Sequence, residues 1–84
     1  MNVNAQQRVI KVIADILNRK ESEIDLEATL RDDLQASSLD RMTLYIALED
    51  EFQRSMPAEE VTELRTVKAI VDFIDKKLQE TSSA

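Results

Sequence analysis

Apolar residues recur along this chain at helical spacing in three stretches, separated by segments with no period. Val9, Ile13, Ile16 and Leu17, with Ile10 and Val12 widening the stripe, predict a first helix over 5–18, and Asn4 and Gln7 have the spacing of a capping box ahead of it. Met42, Tyr45, Leu48 and Phe52, flanked by Leu44, predict the core face of a second helix over 38–52, with Leu39 and Ile46 pointing elsewhere. Val67, Ile70, Val71, Ile74 and Leu78 form the stripe of a last helix, with Thr66 as its cap and a polar tail over 81–84 that is expected to fray. Pro57 suits the first turn of a short third helix over 57–64, because its missing N–H would have had no partner there.

From 19 to 37 the period is lost, yet Ile24, Leu26, Leu30 and Leu34 are apolar anchors that tie this long connection to a core. A connection of that length without regular structure is uncommon in a compact domain and is often functional, and 29–34 has room for a short helical turn. The predicted architecture is all-α: an irregular four-helix bundle with a long loop between helices one and two and a short third helix, forming a single domain over 1–84. The loop delivers the chain to Ser37 and Ser38, where an acidic irregular segment gives way to the second helix.

Glycine is absent and Pro57 is the one proline, so helix ends must be set by polar caps. Ser37 is the natural N-cap of the second helix, with Asp40 three residues on completing a capping box in which aspartate replaces the usual Glu or Gln. The carboxylate of Asp40 also suits the positive end of the helix dipole.

Charge and chemistry narrow the function. A formal charge of −6 argues against nucleic acid and anionic membrane surfaces, and favours partners that present basic patches. Cysteine and histidine are both absent, which removes thiolate and imidazole as nucleophiles, bases and soft metal ligands. Asp32 and Asp33 lack the spacing and glycine of a calcium-binding loop, so no metal is expected. No basic segment followed by an apolar run opens the chain, and none of its apolar runs approaches membrane-spanning length; a soluble, cytoplasmic, monomeric protein is the expectation.

Against this background Ser38 is the candidate functional residue: an exposed hydroxyl at a helix start, with no histidine to activate it and no evident substitute. Such a group suits modification by another protein better than catalysis. A serine pair before a helix is by itself only a cap; the residues around it carry the rest.

The stretch Asp32-Asp33-Leu34-Gln35-Ala36-Ser37-Ser38-Leu39-Asp40, followed by Ala47-Leu48-Glu49-Asp50-Glu51-Phe52, Met56-Pro57, Thr66-Val67 and Asp72-Phe73-Ile74, resembles the acyl carrier proteins, and the resemblance covers nearly the whole chain. In that family the serine of a D-S-L motif at the start of helix two carries 4'-phosphopantetheine, and the matching residue here is Ser38. The resemblance therefore implies a covalent arm on Ser38 whose thiol, missing from the protein itself, carries acyl groups as thioesters. It also implies a phosphopantetheinyl transferase and acyltransferases, synthases or other acyl-processing enzymes with basic docking patches as partners. Ser37, Leu39, Asp40, Arg41, Ile46, Glu49 and Asp50 are the docking residues it points to.

Two positions depart from the family pattern: Ser37 stands where aspartate usually precedes the modified serine, and Gln35 stands where glycine is common. Serine and aspartate rank alike as caps, but a charge is lost; Gln35 is penalised if that turn needs a positive φ. Over 38–52 there are four acids against one base, Arg41, which would repel a basic patch and so points to a selective set of partners. The initial methionine and the short polar tail suggest a stand-alone carrier. Two functions remain: a carrier for fatty-acid or specialised acyl or polyketide chains, or an unmodified helical module that keeps the carrier architecture as a partner subunit.

Overall fold

The computed structural model describes residues 5–82. They form four α-helices, α1 (Ala5–Leu17), α2 (Ser38–Phe52), α3 (Ala58–Val61) and α4 (Val67–Ser82), with a single 3-10 turn at Glu21–Glu23 in the long loop. The family of folds predicted from the pattern is the one observed, an irregular all-α bundle. Helix α1 packs against both α2 and α4. Val9 and Ile13 of α1, Leu44 and Leu48 of α2, and Ile70 and Ile74 of α4 are fully buried where the three meet. No charged or polar residue joins that core among the described residues.

Helix α1 stops at the residue its sequence allows. Asn18 adopts φ 57°, and the Arg19 N–H donates to the carbonyl of Ala14 at 2.9 Å, the six-to-one bond of a Schellman cap. Asn4, half of the predicted capping box, lies outside the described residues. At the other end of the molecule the Arg8 guanidinium sits 4.4 Å from the Phe52 ring centroid and donates to a carboxylate oxygen of Glu51 at 2.9 Å. It also donates to the Glu51 carbonyl at 2.9 Å, so one side chain ties α1 to the carbonyl end of α2, where a cation is favoured.

The ends of α2 are as predicted, and its buried face is so in part. Leu44, Leu48 and Phe52 form the core stripe, whereas Met42, predicted as core, is 59% exposed and Tyr45 is half-buried. Leu48 and Phe52 belong to both candidate stripes, so the spacing alone does not decide between Leu44 and the pair Met42 and Tyr45. The position of α1 does. Leu39 and Ile46 face solvent as predicted.

Helix α3 is shorter than predicted. Pro57 is its N-cap, at φ −61° and ψ 145°, and the helix ends at Val61, with one further turn closed by the Leu64 N–H on the Val61 carbonyl at 3.0 Å. The chain must turn there to bring Arg65 and Thr66 back to the loop. Thr66 caps α4 as predicted, its Oγ1 accepting from the Ala69 N–H at 3.1 Å. The helix continues to Ser82, so Thr81 and Ser82 are helical where a frayed tail was predicted; positions 83 and 84 lie outside the described residues.

The long loop is held by backbone bonds that no side-chain period announces. Thr29 and Thr66 form an isolated antiparallel bridge; the Leu30 N–H donates to the Arg65 carbonyl at 2.9 Å, and the Val67 and Lys68 N–H groups donate to the carbonyls of Ala28 and Leu26 at 3.1 and 2.8 Å. Two N–H groups at the start of α4, which have no partner within the helix, are satisfied in this way. Ile24, Leu30 and Leu34 are buried, as expected of anchors, and Leu26 is half-buried. Over 29–34 the chain makes turns, not a helix. Thr29 and Asp33 bond each other's N–H groups through their side chains at 2.8 and 3.0 Å.

With no glycine available, three side-chain-bearing residues among those described take left-handed backbone: Asn18, Gln35 and Gln53, at φ 57°, 57° and 55°. Asparagine tolerates this region, but glutamine there is strained by the contact of Cβ with its own carbonyl. Gln35→Gly is therefore expected to stabilise the protein by roughly 0.5–1 kcal/mol, the relief of strain exceeding the greater chain entropy of the unfolded glycine variant. Urea unfolding monitored by helical circular dichroism checks it; a loss of stability would mean that the strain is already relieved by local contacts.

Candidate functional site

Ser38 is the first residue of α2, and every bond around it fixes where its hydroxyl sits. The left-handed Gln35 reverses the chain, and the Ala36 N–H then donates to the Leu30 carbonyl at 2.7 Å, anchoring the approach to the helix. Arg19 reaches across the loop to donate to the Leu34 carbonyl at 3.2 Å. Ser37 is the N-cap, at φ −71° and ψ 173°. Its Oγ accepts from the Asp40 N–H at 3.0 Å while its own N–H donates to Asp40 Oδ2 at 3.1 Å, so the capping box predicted from the sequence is complete in both directions.

The two serines consequently differ. The Ser37 oxygen is engaged in capping, whereas Ser38 is exposed and, among the described residues, accepts only from the Arg41 guanidinium, at 3.3 Å. The N–H groups of Ser38 and Leu39 have no carbonyl within the helix to bond, and the 15 residues of α2 align their dipoles behind them. Ser38 therefore offers a reachable oxygen, a guanidinium beside it and a helix end that favours negative charge.

A groove of about 690 Å³ opens beside Ser38, between α2 and the segment running from α3 to the start of α4. Met42, Ile46, Met56, Val61 and Leu64 make its apolar surface, and Tyr45 crosses it. The Tyr45 hydroxyl donates toward the carbonyls of Val61 and Leu64 at 3.4 and 3.5 Å. Burial pushes this phenol above its ordinary 10.0, with Arg41 pulling the other way.

The other predicted site residues fall on two faces of α2. Leu39 and Ile46 are exposed, and Met42 lies between them on the same side at 59% exposure, so an apolar strip runs from the residue after Ser38 for two turns. Sequence reasoning missed Met42 as a surface residue because it matched a core period; its spacing of three from Leu39 and four from Ile46 was the signal available. Asp50 is exposed, while Glu49 is half-buried and one of its carboxylate oxygens accepts from the Met56 N–H at 2.7 Å, supporting the turn into α3. Asp40 and Arg41 are likewise half-buried, each with a bond at the helix start.

Among the described residues no cluster of acidic side chains is arranged to hold a metal ion, and no helix is long and apolar enough to cross a membrane. A family model described as a phosphopantetheine attachment site matches residues 7–74, a span that runs from α1 through the first half of α4 and includes the whole of the loop, α2 and α3.

Proposed function

The chain belongs to the phosphopantetheine attachment-site family, and on that premise we propose that Ser38 is the attachment point and that the protein shuttles acyl intermediates for fatty-acid synthesis or a specialised acyl or polyketide pathway. Membership makes it a carrier with covalently attached 4'-phosphopantetheine, a class that is generally non-catalytic and works with phosphopantetheinyl transferases and acyl-processing enzymes. The arm supplies the thiol on which an acyl group is carried. Everything else is work for the chain's own residues.

The observation that carries the assignment is the Ser38 hydroxyl, exposed at the first turn of α2 beside Arg41 and at the mouth of the groove. Its surroundings fit the group. A phosphodiester on Oγ would lie against the positive end of α2, and the guanidinium 3.3 Å away would exchange a bond to a neutral hydroxyl for a charge-assisted one to phosphate. In the transfer, Ser38 Oγ attacks the coenzyme A pyrophosphate, the hydroxyl proton leaves to the transferase and the adenosine bisphosphate half departs.

Ser37, Leu39, Asp40, Arg41, Ile46, Glu49 and Asp50, joined by Met42, are the docking face we assign for basic partners in the cytoplasm. The apolar strip gives contact area, and the acids give charge complementarity and orientation. Arg41 interrupts the acidic run where it would meet a basic patch, which supports a selective set of partners.

Incubation with coenzyme A and a broad-specificity phosphopantetheinyl transferase, followed by intact mass, tests the reading. The expected result is conversion of the whole population to a species heavier by one arm. No gain in mass, under conditions in which another carrier is fully converted, would instead favour an unmodified helical module acting as a partner subunit.

A further inference from the structure

The charges that flank Ser38 are opposite in sign to those of the molecule as a whole. In a chain of net charge −6, three of the six arginines, Arg31, Arg41 and Arg65, line the same groove as Ser38, and Glu49 is the single acid on that wall. Backbone bonds bring them to this end. The Ala36 N–H donates to the Leu30 carbonyl at 2.7 Å and the Leu30 N–H to the Arg65 carbonyl at 2.9 Å, so Arg65, and Arg31 next to Leu30, are tied to the segment that leads into α2. Arg41 Nη2 is 3.3 Å from Ser38 Oγ.

Most acids of α2 are already engaged within the molecule. Asp40 is half-buried and closes the capping box with Ser37, Glu49 is half-buried and accepts from the Met56 N–H, and Glu51 is paired with Arg8 at 2.9 Å. Asp50 has the one α2 carboxylate with no hydrogen bond or ion pair to a described residue, and it lies just over three turns after Ser38, about 18 Å along the helix axis. The side chains of Arg31 and Arg65 are exposed and likewise make no hydrogen bond or ion pair with any described residue. Of the acids next to them in sequence, Asp33 is turned back onto the Thr29 N–H at 2.8 Å, and Asp32 and Glu63 stand outside the groove wall. The uncommitted charges are therefore polarised: guanidiniums at the Ser38 end, a carboxylate at the other.

We propose that Arg31, Arg41 and Arg65 form a docking surface for an acyl-processing enzyme whose active-site entrance is rimmed by carboxylates. The inference rests on Ser38 bearing the arm, and adds the sign of the partner's surface. An arm fixed to Ser38 reaches a partner's active site only through its entrance, so the residues flanking Ser38 are the ones that meet the rim. Guanidiniums there are matched by carboxylates and repelled by lysine or arginine, while Asp50 calls for a basic group about 18 Å away along α2. The partner is thus of mixed charge, and a carrier with acids in place of the arginines is rejected at the rim. Arg41 also faces the arm's phosphate, so Arg31 and Arg65, with no partner of their own, carry most of the recognition.

Hexaglutamate and hexalysine peptides are the probes, titrated into the isotope-labelled protein bearing the unloaded arm and followed by amide shifts. Hexaglutamate is expected to shift the amides around Arg31, Arg41 and Arg65, and hexalysine those around Asp50. In an Arg31→Gln/Arg65→Gln variant hexaglutamate should bind about three- to tenfold more weakly, the range for two exposed charge pairs, with hexalysine unaffected. Salt of roughly 0.5 M, where the screening length falls to a few ångströms, should remove both effects. In the cell that makes the protein, intact mass reads the acyl species on the arm, and at least one is expected to change by about threefold or more in the variant, following the loss of the same charge pairs.

Absence of the hexaglutamate shifts, equal affinity in parent and variant, or the same acyl species on both in the cell would overturn the proposal. So would hexaglutamate binding that disappears once the arm is attached, which would place the arginines on the arm's own phosphate, or equally strong binding of phosphatidylglycerol vesicles, which would assign the surface to lipid. Because both arginines are exposed and lack partners, the variant should keep its helical circular dichroism. A bare Ser38 is seen in the mass and counts against the carrier assignment separately, since the peptides read the surface with or without the arm.

Discussion

A Ser38→Ala variant is expected to gain no arm, while Ser37→Ala is fully converted but less stable. The two hydroxyls are adjacent in sequence and both precede or open α2, so composition does not separate them; their bonds do. Ser37 Oγ accepts from the Asp40 N–H at 3.0 Å and is held in the capping box, and turning it toward a transferase would break the bond that starts the helix. Ser38 is exposed, and the one hydrogen bond to its hydroxyl among the described residues, from Arg41 Nη2 at 3.3 Å, comes from a side chain that can move aside. Removing the Ser37 hydroxyl should lower stability by about 1 kcal/mol, the usual loss of an N-cap, without touching the acceptor. Intact mass after treatment with coenzyme A and transferase, together with urea unfolding, reads both effects. Full conversion of Ser38→Ala, or none of Ser37→Ala with its fold intact, would move the attachment to the wrong serine for this account.

Leu44→Ala should lower stability by about 2–5 kcal/mol, whereas Met42→Ala should change it by no more than roughly 0.5 kcal/mol. Leu44 is wholly buried between α2 and its neighbours, so truncation removes apolar contact and leaves a cavity that a small helical core closes only in part. Met42 is 59% exposed beside the groove and loses little. For a domain whose total stability is typically about 5–15 kcal/mol, the first change is a large fraction of the whole. Urea midpoints with an unchanged slope check the pair. Equal losses at the two positions would mean that α2 is rotated from the arrangement described.

The contrast between these two residues also shows what the pattern of the chain conveys. The start of α2 was legible in local chemistry, a serine cap with an aspartate three residues on, and its end was read from the last apolar residue of the stripe, Phe52; the left-handed Gln53 that follows has no signal in residue type. The buried face of α2 was legible only in part, because apolar residues lie around much of the helix and two stripes share Leu48 and Phe52. The stripes of α1 and α4 had no such competitor, and Val9, Ile13, Ile70 and Ile74 are buried as their spacing implied.

The loop divides in the same way. Its apolar anchors were visible as residues, and Ile24, Leu30 and Leu34 are buried. The bridge from Thr29 to Thr66 is made by backbone groups, which every sequence possesses, and left no trace in residue type. The place of Ser38 at an exposed helix start was legible from the cap before it, and its proposed role as attachment point comes from its motif. The groove beside it was not: it is formed by residues from the loop, α2, α3 and the turn before α4, whose meeting depends on that bridge and on the Tyr45 hydroxyl.

Cleavage after Arg31 and Arg41 of the protein recovered from the cell that makes it releases 32–41, which contains both Ser37 and Ser38, and fragmentation of that peptide locates any modification. Phosphopantetheine on Ser38 is the result the account predicts. An arm on Ser37, or a peptide bare at both positions while other carriers in the same cell are modified, would contradict it.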